Sequence, residues 1–577
     1  MARKPPAPVV VAPWRLGVVV LLLLLLAALV VGRLVLIQVV DEERGAAFLK
    51  HQGALRTVRT AEMPAYRGML TDRRGEPLAI STPVVTLWAD PRQLADSDRL
   101  AELASALGRS DDWLRRQLSL HEGKHFMFLR RNETPDRARR VLELKLPGVA
   151  GRRAYKRFYP AGEVTSQVIG LTDIDAKGIE GMERAYDAVL QGQSGQRRYI
   201  KDLHGEAVRD IGVVREAQPG RDIALTIDLR LQYLQHRELQ RAIAETGAEA
   251  GAAVTIDART GEILAMTSHP VFNPNSPSRQ DGGARRNRVV TDTFEPGSTM
   301  KPLTLVAALE TGQFTIDSII DTSPGRIKVG RKVLPDPLNY GVITVSKVIE
   351  KSSQVGVTKI AQAIGHEPVL DVYRRFGLGQ VSNIGFPGER AGTLPDRQRW
   401  SDIEKVTLAF GYGLTATPLQ LAHAYSVFAN RGEQIPLSLI RPEPGAELQG
   451  RRVVSEDIAG QVLTVLHRVT SDDGTGKKAR VAGFAVAGKT GTVHKVGAGG
   501  YLPDQYLALF VGVAPVDDPR YVTAIVLDQP KGDNYGGGAA AAPLYARITD
   551  GVLRLYNQRP RSEPDAGLQL AGMESGR

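Results

Sequence analysis

The stretch Glu295-Pro296-Gly297-Ser298-Thr299-Met300-Lys301-Pro302 decides the fold of this chain. Its Pro-Gly pair predicts a turn, and the residues from Ser298 onward predict a helix. A serine and a lysine three residues apart share one face of a helix, so a hydroxyl lies beside an amine. That pairing is typical of an activated nucleophile, and the positive end of the helix dipole would stabilise an oxyanion. Because such a string is common, the alternative is a capping serine followed by a surface lysine.

Two later motifs make that alternative improbable. Ser352-Ser353-Gln354 supplies a second hydroxyl that can relay a proton, together with a side-chain amide. Lys489-Thr490-Gly491-Thr492, between flanking glycines, predicts a strand whose backbone approaches a ligand closely. Lys489 would supply positive charge, and Thr490 and Thr492 would bind a substrate carboxylate. For Lys301 to act as a base, its pKa must be lowered, and we expect burial and the nearby Lys489 to lower it.

A rival motif overlaps the last of these. Residues 483–490 match the phosphate-loop pattern G-x-x-x-x-G-K-[ST]. The residues between its glycines, Phe-Ala-Val-Ala, favour a strand rather than a phosphate cradle, and Gly491-Thr492-Val493-His494 does not resemble the start of a helix. A nucleoside triphosphatase is therefore the weaker interpretation.

In order along the chain, S-x-x-K, a near S-x-N and K-T-G resemble the motifs of the penicillin-interacting serine transferases. The non-catalytic region before the serine resembles class B, the monofunctional transpeptidases. Thr293-Phe294-Glu295-Pro296-Gly297-Ser298 and Phe410-Gly411-Tyr412-Gly413-Leu414 are similar to the division-specific FtsI type. Gln354 departs from the asparagine of the family pattern and is one methylene longer, so its reach to a substrate amide differs.

The resemblance implies D,D-transpeptidation of peptidoglycan stem peptides during septal wall synthesis. Ser298 would attack the D-Ala-D-Ala carbonyl, with Lys301, Ser352 and Lys489 as the other catalytic residues. Gln354, Thr490, Gly491 and Thr492 would bind substrate, and backbone N–H groups of Ser298 and Thr492 would form the oxyanion hole. β-Lactams would acylate the same serine.

The resemblance also implies partners and leaves alternatives open. The implied partners are nascent strands derived from lipid II, an FtsW-type glycosyltransferase and the FtsQ-FtsL-FtsB complex. The alternatives are a hydrolase on the same fold, an elongation-type or specialised paralogue, and a non-catalytic divisome scaffold or β-lactam receptor. We see no acidic motif placed to deacylate a β-lactam, which disfavours the hydrolase.

The composition argues against several other classes of function. The 577 residues carry a formal net charge of +11 without a basic stripe interleaved with aromatic residues, so we predict no nucleic-acid binding. The chain has no cysteine, which excludes disulfides and thiolate chemistry. We predict no cofactor and no metal site.

The N-terminal region predicts a membrane anchor. Residues 16–32 form a run of 17 uncharged residues, which spans roughly 25 Å as a helix. The apolar character continues to about residue 40, and Arg33 can snorkel. Basic residues precede the run and acidic ones follow it, which predicts a cytoplasmic tail over 1–15 and a periplasmic remainder, anchored in the inner membrane near the septum. A cleaved signal peptide is the alternative, disfavoured by the length of the run.

We therefore predict an α/β (α+β) protein with an antiparallel sheet flanked by helices. Its predicted segments are a tail (1–15), a transmembrane anchor (16–40), an elongated pedestal module (41–220), a transpeptidase domain (221–557) and a disordered C-terminal tail (558–577). Periodicity predicts hairpins around residues 67–79, 252–267 and 510–527 and helices over 96–118, 229–248, 298–312, 344–375 and 417–431. Further candidates for substrate contact, for which packing is an equal alternative, are Asn287, Arg288, Tyr340, Tyr412 and Tyr535 to Gly538.

Overall fold

The computed structural model describes residues 12–36, 48, 51, 53, 57–201, 207–278, 282–443, 445–446, 449–497, 499–532 and 535–560. The α-helices of these residues are α1 Pro13–Val35, α2 Pro91–Leu94, α3 Leu100–Ala106, α4 Asp111–Leu120, α5 Pro135–Leu142, α6 Ser166–Ile169, α7 Gly181–Ala185, α8 Asp187–Leu190, α9 Leu229–Thr246, α10 Arg288–Thr291, α11 Lys301–Glu310, α12 Val345–Glu350, α13 Gln354–Ile364, α14 Glu367–Arg375, α15 Asp402–Thr407, α16 Pro418–Ala429, α17 Glu456–Val469 and α18 Ala541–Leu555. The strands are β1 Val58–Met63, β2 Leu70–Thr71, β3 Pro77–Ala89, β4 Met127–Glu133, β5 Val149–Phe158, β6 Gly195–Lys201, β7 Ala207–Arg215, β8 Ile223–Ala224, β9 Ala250–Asp257, β10 Ile263–His269, β11 Ile319–Asp321, β12 Arg326–Val329, β13 Lys332–Pro335, β14 Val342–Thr344, β15 Glu433–Gln434, β16 Arg451–Arg452, β17 Ala487–Gly497, β18 Gly500–Ala514 and β19 Tyr521–Asp528.

Contacts divide the chain into two compact units. One comprises residues 1–65 and 192–219, and the other comprises residues 66–191 and 220–577. The predicted boundary between residues 220 and 221 stays a prediction.

The first unit contains α1 and a three-stranded antiparallel sheet in the order β1-β6-β7. Helix α1 has a mean hydropathy of 3.0 over its most apolar 18-residue window and none of that window is buried, so its length and composition are those of a membrane-spanning helix. Of the predicted anchor, residues 37–40 lie outside the described residues, as do residues 561–577 of the predicted tail.

In the second unit, the N-terminal part is built around the long strand β3. Asp72 accepts hydrogen bonds from the backbone N–H groups of Arg74 and Glu76, and Gly75 has φ +91°, which closes the predicted turn between β2 and β3. The sequence predicted one helix over residues 96–118. Two helices, α3 and α4, form instead, because Gly108 turns the chain at φ +63° and Ser110 caps the next helix.

A buried ion-pair network holds the turn-rich segments of this N-terminal part. Glu183, fully buried, accepts from Arg67 Nε and from Arg157 Nε, each at 2.6 Å. Arg67 also reaches Asp187 at 2.6 Å. Each of these carboxylates is therefore paired, which buried charges require.

The core of the second unit is a five-stranded antiparallel sheet in the order β10-β9-β19-β18-β17. Every residue of β9 is buried, because α9 and α18 pack against one face and α16 packs against the other. This is the predicted antiparallel sheet flanked by helices. Strand β17 lies at one edge of this sheet, so its backbone pairs with a neighbouring strand of the sheet on one side only.

Candidate active site

The serine of the first motif lies in a 3-10 turn, Gly297–Met300, that leads directly into α11. Ser298 is partly exposed, whereas Thr299 and Lys301 are fully buried. The turn is fixed from two sides. Gly297 N donates to Gly411 O at 3.1 Å, and the Tyr425 hydroxyl donates to Thr299 O at 2.6 Å.

The turn also lies against β17. Gly297 has φ +57°, and a Cβ at that position would come within 2.1 Å of Val493 Cγ1. A Cβ at Gly491 would similarly meet the Thr299 methyl at 3.0 Å. Glycine at both positions therefore lets the nucleophile-bearing turn and the edge strand approach each other closely.

One hydroxyl joins the three motifs. Lys301 Nζ donates to Ser352 Oγ at 3.1 Å and to Ser352 O at 2.5 Å. Lys489 Nζ lies 3.0 Å from the same Ser352 Oγ. The structure therefore brings together two amines and a hydroxyl that are distant in the chain. The 3-10 turn separates Ser298 from Lys301, which is the first residue of α11.

Burial sets the charge of these amines. It lowers the pKa of Lys301 to about 7, opposed by the negative charge of Asp336. Burial also lowers the pKa of Lys489 well below its usual value, and repulsion from Lys301 lowers it further. From the sequence we expected Lys489 to contribute to the lowered pKa of Lys301. The repulsion instead acts on the pKa of Lys489, so the shift of Lys301 rests on burial.

The backbone at the second motif differs from the sequence expectation. The sequence predicted helix over residues 344–375, but the chain breaks between α12 and α13, and Ser352 has the left-handed φ of +57°. Ser353 is the N-cap of α13 and its hydroxyl accepts from Gly356 N at 2.8 Å. The break aims the Ser352 hydroxyl at both lysines.

Asp336 holds this break from a neighbouring loop. Its carboxylate accepts from Ser353 Oγ at 2.5 Å, from Gln354 N at 2.5 Å and from Val355 N at 3.2 Å. These charge-assisted bonds fix the first turn of α13 and place a negative charge near Lys301. Sequence reasoning missed Asp336, since nothing in its own segment marks it as part of the site.

The substrate-binding candidates lie along the same edge. Lys489 is fully buried on β17, and Thr490 and Thr492, one and three positions later, face the opposite side of the strand by alternation. Thr490 Oγ1 lies 3.0 Å from Thr475 Oγ1, and Thr492 Oγ1 accepts from Gly537 N at 2.9 Å. Gln354 begins α13 and its side chain is partly exposed.

Aromatic residues continue the cleft beyond Thr492. Tyr412 contacts Tyr501 edge-on, and Tyr501 donates to Glu295 Oε2 at 2.8 Å. Tyr506, which pairs with His494 of β17, stacks against Tyr535 at 4.3 Å. Tyr412 and Tyr535 therefore lie beside the site, as the sequence suggested.

The remaining candidates for substrate contact differ in their surroundings. Asn287 is buried, caps α10 and contacts Met266, so it has a packing role. Arg288 pairs with Asp292 at 2.7 Å. Burial and the negative charge of Asp336 raise the pKa of Tyr340.

The structure contradicts the phosphate-loop interpretation. Lys489 and Thr490 lie inside β17, which runs to Gly497, so no helix N-terminus follows them to receive a phosphate. Within the described ranges, no group of three or more histidine, aspartate or glutamate side chains is placed to hold a metal ion.

Two family models match this chain. Residues 251–550 match the sequence model of the penicillin binding protein transpeptidase domain, and residues 62–225 match that of the penicillin-binding protein dimerisation domain.

Similar proteins span almost the whole chain. Peptidoglycan D,D-transpeptidase FtsI of Escherichia coli (strain K12) is 41% identical over 559 residues, covering 96% of this chain and 93% of that protein. The probable peptidoglycan D,D-transpeptidase PbpC of Pseudomonas aeruginosa is 41% identical over 536 residues, covering 93% and 94%. The crystal structure of penicillin binding protein 3 from Mycobacterium tuberculosis with aztreonam is 30% identical with a TM-score of 0.67, covering 87% of this chain and 98% of that one.

Proposed function

This chain belongs to the class B penicillin-binding proteins of the FtsI type, and we propose that Ser298 is the residue on which its acyl-enzyme forms. The protein is a serine D,D-transpeptidase that cross-links peptidoglycan stem peptides, and β-lactams bind it. The observation that carries the assignment of roles is the convergence of Lys301 and Lys489 on Ser352 Oγ at 3.1 and 3.0 Å.

In the first step, neutral Lys301 takes the proton of Ser298 as its oxygen attacks the carbonyl between the two D-alanines. A pKa of about 7 leaves about half of Lys301 neutral at that pH, which suits a general base. The developing oxyanion accepts hydrogen bonds from the backbone N–H groups of Ser298 and Thr492. The C–N bond then breaks, and the leaving amine takes its proton through Ser352.

In the second step, an amine of a neighbouring stem peptide attacks the ester. The new C–N bond forms, the ester C–O bond breaks and the proton lost by the amine returns to the Ser298 oxygen. Before the first step, Lys489, Thr490 and Thr492 hold the donor peptide at the carboxylate of its terminal D-alanine, which then leaves, and Gln354 holds it at a peptide amide. The extra methylene gives the Gln354 carboxamide a longer reach than that of an asparagine.

The apolar helix and the relatives support a proposal for the site of action. The chain has an apolar N-terminal helix with the character of a membrane anchor. We assign the catalytic part to the periplasmic face of the inner membrane at the division septum. An FtsW-type glycosyltransferase would provide the nascent strands and the FtsQ-FtsL-FtsB complex would recruit the protein.

The test is covalent labelling. Intact-protein mass spectrometry after β-lactam treatment should show one drug mass added, on the peptide that carries Ser298. Ser298→Ala should abolish the adduct, and Ser401→Ala, which removes an exposed helix-capping hydroxyl away from the site, should leave it unchanged. An adduct that persists in Ser298→Ala would refute the assignment.

A further inference from the structure

An exposed aromatic cluster lies on the sheet of β3, β4 and β5, in the N-terminal part of the second unit. Phe126 and Phe128 are 45% and 49% exposed. The rings of Trp88 and Phe126 stack with their centroids 5.4 Å apart, and Phe126 meets Phe128 edge-on at 4.8 Å. We call these three residues the aromatic platform. Contiguous apolar surface of this kind marks a binding site on a soluble domain.

Strand alternation places the aromatic platform on the outer face of the sheet. Trp88 pairs with Phe128 across β3 and β4. Leu87 and Ala89, on either side of Trp88, are fully buried, and Met127 is buried between the two phenylalanines. These buried residues pack in one hydrophobic cluster with α3, α4 and α5. Because successive side chains point to opposite faces of a strand, the helices cover one face and the platform lies on the other.

The packing of the sheet does not account for these rings. A sheet with one covered face normally has apolar residues facing the core and polar residues facing solvent. Here Leu87, Met127 and Leu129 fill the covered face, yet aromatic residues occupy the outward positions 88 and 128. A ligand that packs against rings explains the choice of these residues.

The platform is about as long as a disaccharide. On the side of Trp88 away from β4, its cross-strand partner is the small residue Ala150 of β5. The row Phe128, Trp88 and Ala150 crosses three strands, so it is about 10 Å long. A pyranose ring presents apolar C–H groups on its faces and can pack flat on an aromatic ring, as the bases of a single strand do on exposed aromatic side chains.

Basic residues flank this row. The guanidinium of Arg131 lies 5.0 Å from the centroid of the Phe128 ring, and it also pairs with Asp175. Arg152 is exposed and lies two positions from Ala150 on β5, so both face the same side of the sheet. Flat rings beside cationic groups suit a polymer of flat units that carries carboxylates.

The polymer on which this family acts has that chemistry. The glycan strand of peptidoglycan is built from N-acetylated sugars, and every second sugar carries a lactyl group that ends in a carboxylate or continues into a stem peptide. We propose that the aromatic platform binds the glycan strand of peptidoglycan, with sugar rings against Trp88 and Phe128 and carboxylates towards Arg131 and Arg152. The platform shares no residue with the proposed catalytic site. Holding the strand there raises the local concentration of its stem peptides.

The test measures the binding of a strand that has no stem peptide. Glycan strands whose peptides have been removed by an amidase are titrated into the full-length protein in detergent, and the dissociation constant is measured by calorimetry. Such strands cannot acylate Ser298. A hexamer of N-acetylglucosamine, which lacks the carboxylates, is the second probe, and polyglutamate, which lacks the sugars, is the third. Wild type should bind the strand most tightly, the hexamer less tightly and polyglutamate at least about tenfold more weakly than the strand.

Two variants and a matched control locate the binding. Phe128→Ala should raise the dissociation constants of the strand and the hexamer about tenfold, because it removes a ring that both contact. Arg131→Ala should weaken the strand and leave the hexamer at its wild-type affinity, since only the strand carries carboxylates. Tyr233→Ala removes a 47% exposed ring of α9, outside the platform, and should change neither constant.

Labelling by a fluorescent penicillin is the reference for folding and should proceed at the wild-type rate in every variant. Phe126→Ala, with the same expected loss of binding, replaces Phe128→Ala if that variant fails to label. Wild-type affinity for the strand in the platform variant that labels would overturn the proposal. Equal affinity for polyglutamate would also overturn it, because charge alone would then explain the binding.

Two further outcomes separate this inference from the proposed function. If wild type bound neither saccharide, the inference would be overturned and the platform would be left to a protein partner. If wild type formed no β-lactam adduct but bound the strand through the platform, the proposed acyl-enzyme would fail and this inference would stand.

Discussion

Replacing Asp336 with asparagine tests how the second motif is held. The carboxylate accepts three hydrogen bonds, from Ser353 Oγ, Gln354 N and Val355 N. A bond to a charged group contributes about 1.5–3 kcal/mol and a neutral one about 1, so each loses about 1 kcal/mol. We expect Asp336→Asn to lower the free energy of unfolding by about 3 kcal/mol.

Asp336→Asn should also change the pKa of Lys301, the proposed base. The Asp336 charge opposes the fall in the pKa of Lys301, so its removal moves that pKa further below about 7. Because the neutral amine is the active form, the acid limb of the acylation profile should shift to lower pH. The plateau should fall about tenfold if half of the lost energy, about 1.4 kcal/mol, appears as misplacement of Ser352.

The assay is the rate of labelling by a fluorescent penicillin from pH 5 to 9. Asp90→Asn is the control, because Asp90 caps α2 by accepting from Arg92 N at 3.1 Å, away from the lysines. It should lower stability without moving the limb. An acid limb of Asp336→Asn that stayed in place or moved to higher pH would refute the electrostatic role.

Four further predictions follow from the same geometry. Wild-type acylation should rise about tenfold per pH unit below pH 7 and level off above it, since Lys301 with a pKa of about 7 must lose its proton; a flat profile from pH 5 to 9 would contradict this. Lys301→Met should abolish labelling and reduce the rise in urea midpoint between pH 7 and 9. That rise is expected in wild type because the unfolded lysine, with a pKa of 10.5, binds a proton that the folded one has lost. Tyr425→Phe leaves the buried Thr299 carbonyl without its donor and should lower the free energy of unfolding by about 1–3 kcal/mol in urea titrations, whereas no change would show that another donor replaces it. Gly297→Ala, whose Cβ would lie 2.1 Å from a β17 side chain, should slow labelling by at least about tenfold, while Gly312→Ala, at a similar φ of +70° with open space around it, should label at the wild-type rate.

The sequence predicted the parts of the site that local spacing determines. Ser298 and Lys301 lie one turn apart because a helix begins there, and the strand at Lys489 follows from its apolar approach and glycines. The resemblance to a known family supplied the order of the motifs and the architecture. The Ser298 acyl-enzyme itself stays a proposal.

The contacts that sequence reasoning missed are those between distant segments. Asp336 and Ser353 are 17 positions apart in the sequence, with β14 and α12 between them, and Tyr425 and Thr299 are 126 positions apart. Neither bond has a periodic or motif signal, because it depends on how three-dimensional packing brings distant segments together. The break at Ser352 was also missed, since a positive φ at serine is held by its surroundings rather than favoured by the residue.

The Ser352 hydroxyl contacts both lysines, so the charge of a bound substrate can change the protonation of Lys301. In the free protein burial lowers the pKa of both amines, that of Lys301 to about 7 and that of Lys489 well below its usual value. A substrate carboxylate arriving beside Lys489 favours its charged form and raises its pKa. Ser352 Oγ, 3.1 Å from one amine and 3.0 Å from the other, can pass a proton from Lys301 to Lys489. Lys301 is then neutral when the substrate is in place. Substrate binding therefore leaves Lys301 in the form that can accept the proton of Ser298.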